Sequence, residues 1–351
     1  MRKIKVLHLI TGLGKGGAER VVYDLCHLNN SIDLEQHVIG ISEIDGMMAM
    51  FKADGIPVIS LQMKRNPASF LHSFIRLNRI LKQNNYDLIH THMTHALIIA
   101  ALLKLFAFPG KVIFTPHNSY FGRRLREWIL FVLKPFRYTD ILFSPQQKRY
   151  FHKKNYICIA NGIVTENNKI KPPKFDVFTF LATGRLEKMK NHIALIEMAN
   201  LLKKRNHQFQ ILIAGTGTLY DELEKSIQSN QLEGEIKLLG FRDDVETLCQ
   251  KAHVFIMPSL WEGMPLAILE AGVNKLPVIC TPVGSIPSFL NEKLAYLSAP
   301  GNFVDAMEET MVSYDQALKK ADLFYDHIKA NFSTDIMLDK HFELYKKVTQ
   351  N

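Results

Sequence analysis

The sequence predicts an α/β protein made of two doubly wound, Rossmann-like parallel sheets in series, facing a central cleft. Three observations predict it. Short apolar runs alternate with segments of helical period along almost the whole chain. The alternation breaks once, over residues 164–176, in a stretch bearing lysines and prolines, and then restarts. The glycine-rich and charged clusters fall where a strand hands over to the next helix, the edge at which open α/β sheets bind ligands. A chain of 351 residues has room for two such domains.

Residues 3–10 form the first strand, apolar almost throughout, and enter the turn Gly12-Leu-Gly14-Lys-Gly16-Gly17 before a helix reaching about residue 28. Strands follow at 36–42, 58–61 and 87–91, separated by helical patterns at 47–53 and 70–83. A helix over 95–108, a strand over 112–115, a helix over 122–134 and strands over 140–144 and 156–159 complete the first half. Beyond the linker come strand 178–183, helix 191–205, strand 210–214, helix 219–228, strand 236–239, helix 245–251 and strand 253–257. A turn, a helix begun by Pro265 and a strand over 277–281 close the second sheet, and residues from 305 onward are helical. The expected division is 1–165, 176–330, and a last helix from 331 to 351 that returns to the first domain.

Composition narrows the function. Hydrophobic content of 47% and charge of 22% belong to a globular chain. The net charge of +9 is uneven, +12 up to residue 165 and −3 beyond it. A basic first half faces an anionic substrate or surface. Cys26, Cys158, Cys249 and Cys280 are scattered without a paired spacing, which predicts reduced thiols and a cytoplasmic protein. The apolar run at 95–108 is too short, and carries Lys104, for a membrane span. Helix-turn-helix, zinc and RNA-sheet motifs are missing, so nucleic acid is not an expected partner.

The segment Val254-Phe-Ile-Met-Pro-Ser-Leu-Trp-Glu262-Gly263-Met264-Pro265-Leu266-Ala-Ile-Leu-Glu270 organises the second half. A buried strand runs through a turn into a helix whose first N–H groups, around Gly263–Leu266, are free for phosphate or sugar oxygens. Glu262 and Glu270 bracket that cradle; eight helical residues span about 12 Å, the reach from a ribose across a diphosphate to a sugar. Gly184-Arg185 and Lys190 follow the first strand of the same domain and offer the positive charge that a diphosphate leaving group needs. No Asp-x-Asp pair is present, so no metal is expected to do this work. Gly240-Phe241-Arg242 ends another strand, where main-chain groups could meet a nucleobase edge. Gly12-x-Gly14-x-x-Gly17, with Glu43 at the end of the second strand, also fits a dinucleotide fingerprint. A dehydrogenase and a purely structural tight turn therefore stay open at that loop.

Taken together, Gly16-Gly17-Ala18-Glu19, Thr115-Pro116-His117-Asn118, Asn161-Gly162-Ile163, Gly184-Arg185 with Lys190, Gly240-Phe241-Arg242 and Glu262-x7-Glu270 resemble the retaining GT-B glycosyltransferases of the family-4 type. The resemblance extends over most of the chain. It implies that Glu270 holds the ribose of a nucleotide sugar, most simply a UDP-sugar, while Glu262 and the Gly263, Met264, Pro265 and Leu266 segment hold sugar and phosphates. Arg185 and Lys190 would neutralise the diphosphate, Gly184, Gly240, Phe241 and Arg242 would line the donor site, and Gly17 would let the first loop approach. His117 would contact the transferred sugar; Gly16, His92 and Asn118 would face a glycan or lipid-linked saccharide acceptor. No cofactor or metal is implied. A sugar-nucleotide epimerase of the same fold is the alternative.

Two clusters remain. His90, His92 and His95 look like metal ligands by count, but cleft lining or plain structure is the favoured reading. Arg123, Arg124 and Arg126 beside Trp128 and Phe136 suit a protein peripheral to an anionic membrane, or equally a buried helix with a charged rim.

Overall fold

The computed structural model describes residues 2–29, 31–106, 108–117, 124–147, 155–166, 172–299 and 302–350. The chain divides into unit 1, Met1–Gly162 with Thr334–Asn351, and unit 2, Ile163–Ser333.

In unit 1, strands β1 (Ile4–Ile10), β2 (Leu34–Ser42), β3 (Val58–Met63), β4 (Leu88–His92), β5 (Lys111–Thr115), β6 (Thr139–Leu142) and β7 (Tyr156–Cys158) make one sheet in the order β3-β2-β1-β4-β5-β6-β7. Every pairing is parallel. Helices α1 (Gly17–His27), α2 (Met48–Ala53), α3 (Pro67–Asn84), α4 (Thr94–Phe106) and α5 (Arg124–Val132) connect them. Alternation along β1 shows why both faces are covered. Leu7 and Leu9 enter one apolar cluster with Leu97 and Ala100 of α4; Ile10 enters another with Val22 of α1 and Phe51 of α2.

Unit 2 repeats the plan with β8 (Thr179–Thr183), β9 (Gln210–Ala214), β10 (Ile236–Gly240), β11 (Val254–Met257), β12 (Val278–Cys280) and β13 (Tyr296–Leu297), in the order β10-β9-β8-β11-β12-β13. Its helices are α6 (Ala194–Lys204), α7 (Tyr220–Ser229), α8 (Val245–Lys251), α9 (Leu266–Val273), α10 (Phe303–Val312) and α11 (Tyr314–Asn331). The last helix, α12 (Thr334–Gln350), belongs to unit 1. The order reverses between β1 and β4 in unit 1 and between β8 and β11 in unit 2. These are the switch points beyond which such sheets take ligands.

Differences from the sequence expectation are local. The two-residue β13 gives no periodic signal, and the C-terminal helical stretch is three helices, broken at Ser313 and again at Phe332–Ser333. Pro265 is not in the first turn of α9. It is the N-cap, with ψ at 114°, so Glu262 lies on the preceding loop and only Glu270 of the two acids is helical. The 12 Å helical spacing between them therefore does not apply.

Candidate functional site

The unit 2 switch point is built from two loops. After β8, the chain passes close under the loop that follows β9: Gly184 N–H donates to the Ala214 carbonyl at 3.0 Å and Leu186 N–H to that of Thr216 at 2.9 Å. The approach is so close that a Cβ on Gly215 would lie 1.9 Å from the Gly184 carbonyl oxygen, which only glycine tolerates. The loop then makes a single turn at Lys188–Lys190, ended by Asn191 in the left-handed region. Asn191 Nδ2 donates to the Pro258 carbonyl at 3.1 Å, and Leu260 N–H to that of Met189 at 2.8 Å. These bonds tie the basic loop to the segment leaving β11.

That segment carries Glu262. Its carboxylate is buried, with 5% of the residue exposed. Oε1 accepts from Lys190 Nζ at 2.7 Å and from Ser259 Oγ at 2.7 Å. Thr281 Oγ1 donates to the Ser259 carbonyl, and Ser285 Oγ to that of Gly263, both at 2.5 Å. The Gly263–Pro265 turn is thereby held from β12 and the loop after it. The first N–H groups of α9 lack helical acceptors, next to a lysine already neutralised by its carboxylate. Arg185 is exposed, and its side chain makes no ion pair among the described residues. Like the exposed Lys188 in the same loop, it is placed to meet an anionic ligand.

The remaining donor-side residues follow the sheet. Gly240 ends β10, Phe241 is 51% exposed, and Arg242 is bound to Asp244 by contacts of 2.7 and 2.5 Å. The hydrogen bond to Asp244 raises the Arg242 guanidinium above its ordinary value. Arg242 thus belongs to a surface pair, while the Phe241 side chain is half exposed beside it. Glu270 lies half-buried on α9. Glu262 and Lys190, expected to serve sugar and phosphate respectively, are hydrogen-bonded to each other here.

Unit 1 presents a histidine cluster at its own switch point. His8 of β1 pairs in register with His90 of β4. His8 Nδ1 lies 3.0 Å from His92 Nε2, and His92 Nδ1 lies 2.8 Å from His117 Nε2. His90 bonds Tyr345 OH and Thr115 Oγ1, each at 2.7 Å. Burial pulls the imidazoles of His8 and His341 down to about 4 and that of His117 to about 3; His90 and His92 are also driven down, first by burial and then by the neighbouring rings. His117 follows β5 in the left-handed region, φ 55°, an uncommon conformation that costs about 1 kcal/mol or more and gathers at functional sites. Beside it lies a cavity of about 10 Å3, room for about one water, lined by His92, His117, Asn161 and His341 among others.

Several expectations change here. His92 is fully buried beneath His117, so it does not face an acceptor directly. His95 is exposed at the start of α4, and His8 takes the third place in the cluster instead. Both nitrogens of His8, His90 and His92 already have hydrogen-bond partners, which favours plain structure over metal ligation. Gly16 caps α1 and Gly17 begins it, exposed, at the end of β1. Asn118 and Arg123 lie outside the described residues. Gly12 has a structural explanation, because a Cβ there would meet Ser42 Oγ at 2.6 Å. Leu13 N–H donates to the Ile44 carbonyl at 2.8 Å, fastening this loop to the end of β2. Glu43, the candidate ribose acid of a dehydrogenase, is exposed and faces Lys64 at 3.8 Å. Gln36, His341 and Tyr345 carry no local sequence signal and were not expected.

Comparison with known proteins agrees with this geometry. Residues 15–166 match the family described as Glycosyltransferase Family 4, and residues 164–319 match Glycosyl transferases group 1. The Escherichia coli UDP-Gal:alpha-D-GlcNAc-diphosphoundecaprenol alpha-1,3-galactosyltransferase is 30% identical over 236 residues, 60% of this chain and 61% of that enzyme. The capsular polysaccharide biosynthesis glycosyltransferase CapH of Staphylococcus aureus is 28% identical over 79% of this chain and 81% of its own. Among solved structures, Anabaena HepE in complex with UDP-glucose superposes with a TM-score of 0.84 at 18% identity, over 98% of this chain and all of that one. The fold is that of the GT-B glycosyltransferases. The first half of the chain thus carries the Family 4 match and the second half the group 1 match, which together make it a glycosyltransferase of the group 1/family 4 type.

Proposed function

We propose that this protein moves a sugar from a nucleotide sugar, a UDP-sugar, to a glycan or lipid-linked saccharide, with retention at the anomeric carbon and without a metal. The observation that carries the reading is the unit 2 switch point. There the unpaired cation Arg185, the Lys190–Glu262 pair and the start of α9 gather donors for a diphosphate, with Glu270 further along the helix for the ribose. A bound diphosphate would compete with Glu262 for Lys190, freeing the carboxylate for sugar hydroxyls. In the reaction the bond from the anomeric carbon to the diphosphate oxygen breaks, and a bond to the acceptor oxygen forms on the same face. The acceptor hydroxyl proton passes to the departing phosphate. His117 is the residue we assign to the transferred sugar, and the Gly16–Gly17 turn the one we assign to the acceptor.

The relatives support a UDP-sugar and a lipid-linked acceptor, since one is named for UDP-Gal and a diphosphoundecaprenol saccharide and another is solved with UDP-glucose. Helix α5 supports a membrane-borne acceptor. Leu125, Trp128, Phe131 and Val132 are 63%, 62%, 52% and 44% exposed while Leu130 is buried, contrary to an ordinary buried helix. Lys134 lies over the Phe131 ring at 4.6 Å. Among the described residues no helix is long and apolar enough to cross a membrane. We place the enzyme peripherally on the cytoplasmic face, with α5 against anionic lipid. Sedimentation with anionic vesicles should fall when Leu125, Trp128 and Phe131 become Ser; unchanged binding removes this part.

The central test is a panel of nucleotide sugars scored by thermal shift, followed by product analysis with a polyprenyl-linked saccharide in EDTA. Release of UDP with a retained anomeric configuration supports the proposal. Conversion of the donor without any acceptor would identify an epimerase instead.

A further inference from the structure

We infer that Gln36, acting through His8 and His92, fixes the tautomer of His117 so that its free Nδ1 accepts a hydrogen bond from a substrate hydroxyl. The inference rests on the transferase reading for the identity of the substrate, but the wiring itself is read from side-chain geometry.

The direction of the line is set at its buried end. Gln36 Nε2 lies 2.6 Å from the Leu25 carbonyl, which can only accept, so the amide nitrogen must face it. Gln36 Oε1 then faces His8 Nε2 at 2.8 Å and needs a proton from it. A neutral imidazole carries one N–H, so His8 Nδ1 is an acceptor, and the proton between it and His92 sits on His92 Nε2. By the same step His92 Nδ1 accepts from His117 Nε2. The last nitrogen, His117 Nδ1, is left with a lone pair and has no hydrogen-bond partner among the described residues.

Burial of these rings keeps each of them neutral near pH 7, as the one-proton count requires. The line also ends on an amide oxygen, a poor proton acceptor. It therefore cannot serve as a proton wire, and it acts as an orientation device. Gln36 and His8 touch no substrate; they are positioning residues. Simple core filling would need the same hydrogen bonds but would be indifferent to their direction. A substrate group facing His117 is not indifferent: a hydroxyl can donate to Nδ1, whereas a carbonyl or an ether oxygen cannot.

Nitrogen-15 NMR of histidine side chains in the full-length protein, without substrate, reads the tautomers directly. The expected spectrum has His8, His92 and His117 protonated on Nε2 alone. A proton on His117 Nδ1 would overturn the inference. Gln36→Glu reverses the pull, because a carboxylate draws a second proton onto His8, whose Nδ1–H then donates to His92. The His117 proton should move to Nδ1; an unmoved proton counts against the wiring. In steady-state kinetics the same variant should raise one substrate KM about tenfold, the loss of one hydrogen bond, with UDP affinity unchanged. A rise in the nucleotide-sugar KM puts the hydroxyl on the transferred sugar, and a rise in the acceptor KM puts it on the acceptor. Both KM values unchanged would refute the role. The spectrum needs no turnover, so failure of the transferase reading would show as the expected tautomers in a protein that transfers nothing.

Discussion

Acidification should unfold unit 1 well before ordinary acid denaturation, because its sheet buries a group of uncharged histidines. The sign follows from linkage. A histidine whose folded value is depressed takes up protons first in the unfolded chain, so stability is full above about 6.5 and falls as pH drops from there toward the folded value. His8 and His341 are held at about 4 and His117 at about 3. At pH 5 each then costs roughly 2 kcal/mol, about 6 kcal/mol for the three. His90 and His92 act in the same direction. Asp24 opposes them: burial raises its carboxyl to about 6, which offsets about 1 kcal/mol at pH 5. The balance is comparable with the whole stability of a domain, about 5–15 kcal/mol. Urea unfolding followed by far-ultraviolet circular dichroism at about pH 7.5, 6.5, 5.5 and 5 should show the first transition collapsing below about 6. His8→Gln with His341→Gln should flatten that slope even if the variant is less stable at neutral pH. A first transition that stays put between pH 6.5 and 5 would refute the reasoning.

Other expectations follow from single contacts. Lys190→Met removes the cation from the buried Glu262 carboxylate, which keeps its bond from Ser259 Oγ. It should destabilise unit 2 by about 3–5 kcal/mol and weaken UDP at least tenfold; calorimetry showing unchanged affinity would remove Lys190 from the site. Glu270→Ala should weaken UDP itself, by about 1.5–3 kcal/mol for hydrogen bonds to a charged group, and equal affinity in variant and wild type would cancel the ribose assignment. Asp140→Ala removes the carboxylate that faces the Arg137 guanidinium at 3.0 Å, both side chains being fully buried. About 3–5 kcal/mol of stability should go, and a loss below about 1 kcal/mol in urea unfolding would show that the pair is dispensable.

The sheets were legible because parallel strands covered on both faces spell out apolar runs, as in β1 and β11, and helices between them keep their period. The unit 2 motif was legible as a list of residues, though not as a geometry. Pro265 looked like a helix start and is a cap, which put Glu262 on a loop and into the hands of Lys190. The breaks at Ser313 and Phe332 escaped because neither is a glycine or proline. In unit 1, His90 and His92 stood out as alternate positions of a strand, but His8 is one polar residue in an apolar run. Its partner is fixed only by strand pairing 84 residues away. Tyr345, 255 residues from His90, has no local signature at all.

The position of the bound nucleotide decides between the two loops. A crystal soaked with UDP should show the diphosphate against Arg185, Lys190 and the amides at the start of α9, with the ribose at Glu270. Density for UDP on the Gly12–Gly17 loop instead, with the unit 2 edge empty, would contradict it.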